Sequence, residues 1–363
     1  MKLHRVIVKT LVVVIVCILV FGIFQKLFHK RWNVLYENYV KYSKCEDVDL
    51  IIVGTSEIWC GIIPSILFEE QGIRSFNLGH SYKSAITTYY ELEYAFKEKK
   101  PKVVLLDFAE LVYSSTLPAE AESAFRQAIY SMPDKKIRRK ILNEVWKYDT
   151  SEALYYEFPL LRFHNMWSSI PEENLTKEYD YNSIDVDFKL GWDSNKDLLL
   201  KPDGPGEKTP ITEDRWNTEE DEYCLADNKV LVEYYDKCIK LCEDNGAIVI
   251  AVFPPKPYVI ERQQKNWRQI DDYLSSRNVP ILNYNTYEFY LESGLDYESD
   301  YFDVTHLNYN GAIKWSHYVG EDVMKILGEK KVEFEICDET SRERYELWTD
   351  EFNAKYKEKE NDR

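Results

Sequence analysis

The 363-residue chain has only 13 glycines, 13 prolines, seven cysteines and six histidines. So little glycine and proline excludes collagen-like and low-complexity readings. None of the cysteines stands in a Cys-x-x-Cys pair, so no zinc site is expected. Nor is there a Gly-rich phosphate loop, a His-Glu-x-x-His run or a nucleotide fingerprint, and no bound cofactor is expected. The chain also lacks positive charge. Against 46 Lys and Arg stand 63 Asp and Glu, a formal net charge of −17, which repels phosphate backbones and argues against a nucleic-acid partner. What is present is a folding composition, 45% hydrophobic and 30% charged, long enough for one to three domains. Aromatic residues reach 15%, a content used both by well-filled cores and by sugar-stacking surfaces.

One long hydrophobic run stands at the start. Val6 to Phe24 is apolar apart from Lys9 and Thr10, close to the ~20 residues a helix needs to cross a bilayer. No small-residue cleavage site follows, so an uncleaved signal anchor over residues 1–31 is read in preference to a removed signal peptide or a buried soluble helix. Lys2, Arg5 and Lys9 face Lys26, Lys30 and Arg31 across the run, so flanking charge does not set the orientation. Cys17 lies in the run. Cys238 and Cys242 are spaced one helical turn apart, which suits packing better than a disulfide, and the unpaired thiols sit in tension with an exported domain.

Beyond the run the chain alternates. Asp47–Gly54, Gly72–Leu78, Lys102–Asp107, Ala247–Phe253 and Val279–Asn283 read as strands, several of them continuous apolar runs. Helical patterns separate them over Ile63–Gln71, Ser84–Glu98, about Thr218–Asn245 and Asn310–Leu327. Strand–helix alternation of this length predicts an α/β fold with a five-stranded parallel sheet joined by right-handed crossovers. A long, mostly helical insertion interrupts it at about residues 110–219, with helices near Glu120–Tyr130 and Lys135–Trp167 and a polar stretch around Asp180–Thr212. After Gly328 a charged tail, residues 331–363, spaces Tyr345, Trp348, Phe352 and Tyr356 at near-helical intervals, as a docking helix would.

Ligands of open α/β sheets bind beyond the carboxyl ends of the strands, and three such tips carry reactive side chains. Gly54-Thr55-Ser56 follows the first strand, with Ser56 at a helix start where amides can stabilise an oxyanion; the same serine suits a plain N-cap. Asn77-Leu78-Gly79 follows the second. Asp303-Val304-Thr305-His306-Leu307-Asn308 precedes the last helix, with an acid three residues before a histidine, as needed to hold one imidazole nitrogen and free the other as a base. Ser56, Asp303 and His306 together suit a nucleophile, an orienting carboxylate and a general base.

In these three blocks the chain resembles the SGNH/GDSL hydrolase superfamily over roughly Asp49 to Leu327. More closely, it looks like the membrane-anchored branch that includes the D-alanyl transfer protein of lipoteichoic acid synthesis and polysaccharide O-acetyltransferases. The resemblance implies a flavodoxin-like three-layer fold and acyl transfer to or from a carbohydrate, polyol or teichoic acid polymer, through a covalent acyl-Ser56. His306 would be the base and Asp303 its partner, while the amides of Ser56 and Gly79, with Asn77, would face the oxyanion. It further implies a single-pass protein with its domain outside the membrane and a membrane-bound O-acyltransferase as possible partner. The superfamily's Gly-x-Asn-Asp block is replaced by Asp107-Phe108-Ala109-Glu110, and the second block continues as His80-Ser81-Tyr82. An esterase with the same residues, or an inert polymer-binding scaffold, are the alternatives. Weaker substrate-binding candidates are His80 after the second block, Arg162 and His164 in the insertion, and Lys256 after the fourth strand.

Overall fold

The computed structural model describes residues 2–28, 33–113, 119–165, 184–193, 225, 228–256, 261–303, 305–334 and 338–356. They fall into two compact units: one takes Met1–Glu37 with Phe125–Ile184, the other Asn38–Ala124 with Asp185–Arg363.

The larger unit is an α/β sheet domain. Strands β1 (Leu50–Val53), β2 (Ser75–Asn77), β3 (Val103–Asp107), β4 (Ile248–Phe253) and β5 (Ile281–Asn283) form one sheet in the order β2-β1-β3-β4-β5. Every pairing is parallel. Successive side chains of a strand point to opposite faces. One set, Leu50, Ile52, Val103, Leu105, Ile250 and Val252, packs with Trp315, Val319, Val323 and Leu327 of the helix Tyr309–Lys330. The alternate set, including Ile51, Val104, Leu106 and Ala251, is buried as well, as in a parallel sheet covered on both sides. The apolar runs read as strands are those strands, each trimmed by a few residues at its ends.

The tail folds back as a docking helix. Glu339–Tyr356 is a helix whose Phe352 and Tyr356 join Ile63, Ile66, Trp192 and Tyr309 in a second core cluster. Trp192 comes from the stretch read as polar, of which only residues 184–193 are described. There Phe188, Leu190 and Trp192 alternate with polar neighbours, and Gly191 at φ +87° takes the left-handed turn that brings the tryptophan inward. A Cβ on Gly191 would lie 2.0 Å from the Asn77 carbonyl oxygen, so both its φ and its space require glycine.

The smaller unit contains the apolar helix Lys2–Leu27, whose His4–Gln25 segment is long and apolar enough to cross a membrane. With it go helices of the insertion. The pattern read as one helix over Lys135–Trp167 is three: Lys135–Tyr148, Thr150–Glu157 and Pro159–Phe163. Asp149 accepts from the amides of Ser151 and Glu152, starting the second, and Pro159 starts the third at the position where a missing N–H costs nothing. Met166 and Trp167, Cys224, Cys337 and the stretch 218–224 lie outside the described residues. Cys238 and Cys242 are buried free thiols, whose ionisation burial pushes upward.

Candidate active site

In the larger unit's sheet the strand order reverses at β1, the chain passing to β2 on one side and then to β3 on the other, the place where open parallel sheets leave a crevice. Ser56 opens the short helix Ser56–Gly61 directly after β1. Thr55 sits at the N-cap position but gives no side-chain cap. Its hydroxyl and amide instead donate to Asp107 Oδ2 at 2.8 and 3.1 Å. Asp107 Oδ1 meanwhile accepts the Ala109 amide at 2.7 Å. The carboxylate at the end of β3 therefore ties the turn before Ser56 to the sheet and leaves the first-turn amides around Ser56 without a side-chain cap. Burial pushes the Asp107 carboxyl upward, against the pull of those hydrogen bonds. Gly54 is required in this turn, because a Cβ there would stand 2.5 Å from that of Asp107.

His306 reaches Ser56 across 250 residues of sequence. Its Nε2 stands 2.7 Å from Ser56 Oγ, and its Nδ1 lies 2.9 Å from both carboxylate oxygens of Asp303. With Nδ1–H donating to the carboxylate, Nε2 is the acceptor for the serine hydroxyl. The loop that presents the pair is closed by the Tyr301–Leu307 bridge and by the Phe302 amide donating to the His306 carbonyl at 2.8 Å. Asn308 then caps the helix Tyr309–Lys330 through the Gly311 amide and donates to the Ser299 carbonyl at 2.7 Å. Asp303 Oδ1 also accepts the amides of Thr305 and His306, each at 2.8 Å. Partial burial opposes its ionisation, but the bond from His306 and these amides prevail and hold the carboxyl far below the usual range.

The cleft above these residues encloses ≈ 340 Å³ and is walled by Trp59, Tyr82 and Phe302 with Ser56, His306 and Asn308. Trp59 is fixed by its indole N–H on the Gly191 carbonyl at 2.8 Å. Tyr82 is 60% exposed and holds φ +54°, a conformation costly for a non-glycine residue and retained most often at functional sites. These three aromatics were not singled out from sequence. Nothing in local spacing marks them, since each depends on which loop meets the strand tips.

Several sequence candidates stand elsewhere. The side-chain oxygen of Asn77 accepts the Gly79 amide at 2.8 Å, and its Nδ2 donates to the carbonyls of Ile58 and Ile62 at 3.1 and 2.9 Å. Asn77 is thus a buried clamp on the helix Ser56–Gly61, and the one N–H of Gly79 is already used. Of the three oxyanion candidates, Asn77 and Gly79 are thus engaged in internal bonds, and the Ser56 amide lies at a helix start with no side-chain cap. His80 is buried. Its Nδ1 lies 2.8 Å from the Ser81 carbonyl and its Nε2 faces Glu91, where Tyr39 donates at 2.9 Å and Lys83 forms an ion pair. Lys256 is buried in an ion pair with Glu57, the residue after Ser56, so it braces the helix rather than meeting a ligand in the cleft. Arg162 and His164 belong to the smaller unit. Arg162 pairs with Glu152 and lies over the Tyr155 and Tyr156 rings, while His164 Nδ1 lies 2.8 Å from the Leu161 carbonyl.

No family model matches the chain, and no curated protein matches it.

Proposed function

We propose that this protein is a membrane-tethered serine acyltransferase of the SGNH kind, which moves an acetyl or D-alanyl group to or from a carbohydrate or teichoic acid polymer outside the membrane. One observation carries the proposal: Ser56 Oγ, His306 Nε2 and the Asp303 carboxylate stand in hydrogen-bonded sequence at 2.7 and 2.9 Å, facing an aromatic cleft.

In the proposed reaction His306 Nε2 accepts the Ser56 proton as Oγ attacks the acyl carbonyl carbon. The oxyanion that forms is stabilised by the Ser56 amide at the uncapped helix start. Breakdown of the tetrahedral adduct breaks the bond to the donor oxygen, which leaves with the proton from His306 and deposits the acyl group on Ser56. An acceptor hydroxyl then gives its proton to His306 and attacks the acyl carbon. Its adduct breaks the bond to Oγ, which regains the proton. Asp303, ionised throughout, keeps the imidazole oriented and stabilises its cation. The walls of Trp59, Tyr82 and Phe302 suit sugar faces, which stack on aromatic rings, better than an acyl chain alone would need. The helix Lys2–Leu27 supplies the tether.

The His306 side chain retains 27% exposure, which admits water and favours ester hydrolysis as the second reading. The two separate by acceptor. Purified full-length protein given a soluble aryl ester should turn over slowly in water and faster with an added carbohydrate hydroxyl, whereas a hydrolase would be indifferent to it. In cells, Ser56→Ala should abolish the acylation that the wild-type chain supports. Unchanged acylation would instead indicate an inert polymer-binding scaffold.

A further inference from the structure

The apolar helix Lys2–Leu27 ends against the insertion helices of its own unit. The Phe21 and Phe158 ring centroids lie 5.9 Å apart, and Gln25 Oε1 accepts the Leu160 amide at 2.9 Å. Both contacts fall at the carboxyl end of the His4–Gln25 segment, where a spanning helix would pass from hydrocarbon to headgroups.

The helices Lys135–Tyr148 and Thr150–Glu157 form a hairpin turned at Asp149. Arg139 donates to both oxygens of Glu157, at 2.5 and 3.0 Å, which sets the two helices antiparallel. The amino end of the first helix therefore lies at the same end of the hairpin as Phe158. That end reads Lys135-Lys136-Ile137-Arg138-Arg139-Lys140, five cations in six residues within a chain of net charge −17. Ile137 turns inward, and Lys135, Lys136, Arg139 and Lys140 are exposed. Arg139 is paired with Glu157, while Asp134 accepts from the helix amides, Glu144 pairs with Lys147 and Glu152 with Arg162; the stretch 134–140 still carries five cations against the single acid Asp134. One residue from the Gln25 contact, Leu161 is 47% exposed, and Leu154 and Tyr155 are 41% and 40% exposed. Cations beside exposed leucine and tyrosine, level with the end of a spanning helix, match the headgroup layer of an anionic bilayer.

We propose that this hairpin docks on anionic phospholipid headgroups beside the exit of the anchor, with Leu161 dipping into the interface and the Lys135–Lys140 cluster over the phosphates. The proposal rests on reading Lys2–Leu27 as a membrane anchor. Docking would fix the insertion at the membrane surface, where a swivelling tether alone would leave it free.

The test uses the full chain in vesicles of phosphatidylcholine with and without phosphatidylglycerol, carrying the photo-crosslinker p-benzoylphenylalanine at Leu161 or at Ile15. An Ile15–lipid adduct on both vesicles reports the anchor alone. The docking predicts a Leu161–lipid adduct that is strong with phosphatidylglycerol. It should fall on the order of tenfold without that lipid, or after Lys135→Glu, Lys136→Glu and Lys140→Glu together. The same three positions changed to Gln should give an intermediate loss, and added salt should weaken the adduct in the wild-type chain. An Ile15 adduct with no Leu161 adduct, or with one indifferent to lipid charge, would overturn the docking and leave the anchor standing. Absence of both adducts would overturn the anchor reading and the docking with it. Binding of soluble polyphosphate by the cluster without any Leu161 adduct would also overturn it, in favour of a polyanionic polymer.

Discussion

Asp303 gathers its hydrogen bonds on a loop that is itself half open to water, and its consequence can be measured apart from any reaction. Because its folded carboxyl ionises far below its unfolded value, the unfolded chain binds more protons in the interval between the two. The stability it contributes is fully present above the ordinary carboxylate range and is lost as pH falls through that interval. Denaturation of wild type and Asp303→Asn should therefore differ at pH 7 and converge as the pH drops below about 4. A difference that stays constant with pH would contradict this. On the proposed chemistry the same substitution should slow acyl-enzyme formation by about 10³–10⁴-fold, through loss of the imidazole's orientation. Ser56, Asp303 and His306 were legible in the sequence because each adjoins a predicted strand tip or the last helix, which sheet topology brings to one edge. Asn77, Gly79, His80 and Lys256 were not legible in their roles. They lie in the right loops, but whether an N–H is already bonded, or a cation already paired with Glu57 or an imidazole turned toward Glu91, is decided by packing that no local spacing records.

At the level of elements, the turn between β1 and the helix Ser56–Gly61 depends on β3 through Asp107. Asp107→Ala would orphan the Thr55 and Ala109 amides in a buried place, and should cost about 3 kcal/mol in chemical denaturation. It should also slow reaction of Ser56 with a serine-directed reagent, since the turn loses its tie. Normal reactivity in a destabilised but folded variant would show that the turn holds itself. The carboxyl-terminal helix offers a second check. Phe352 is fully buried against Trp192 at 5.8 Å between centroids, so Phe352→Ala should destabilise by about 3–5 kcal/mol. A loss below about 1 kcal/mol would mean that the helix is an appendage. Its aromatic spacing made this helix legible, and the five strands were legible from their apolar runs. The breaks at Asp149 and Pro159 were passed over, because residues 135–167 contain no glycine and only the one proline to punctuate a helical reading. The inward turn at Gly191-Trp192 was hidden by its polar surroundings.

For the molecule as a whole, the proposed activity requires the sheet domain and its substrate to share one side of a membrane. The apolar helix is long enough to cross, and the flanking cations balance, so sequence leaves the orientation open. A reporter fused after Arg363 should be active only outside the membrane, and removal of residues 2–27 should release the chain from membranes. A cytoplasmic reporter would exclude an envelope polymer as acceptor while leaving the cleft geometry intact. The most direct test is intact-mass spectrometry of the full-length protein after exposure to a serine-directed fluorophosphonate, beside Ser56→Ala and His306→Ala. A single adduct mapped to Ser56, absent from Ser56→Ala and strongly reduced in His306→Ala, is the expected result. A folded wild-type protein that gains no mass, or gains it on another serine, would contradict a nucleophilic Ser56.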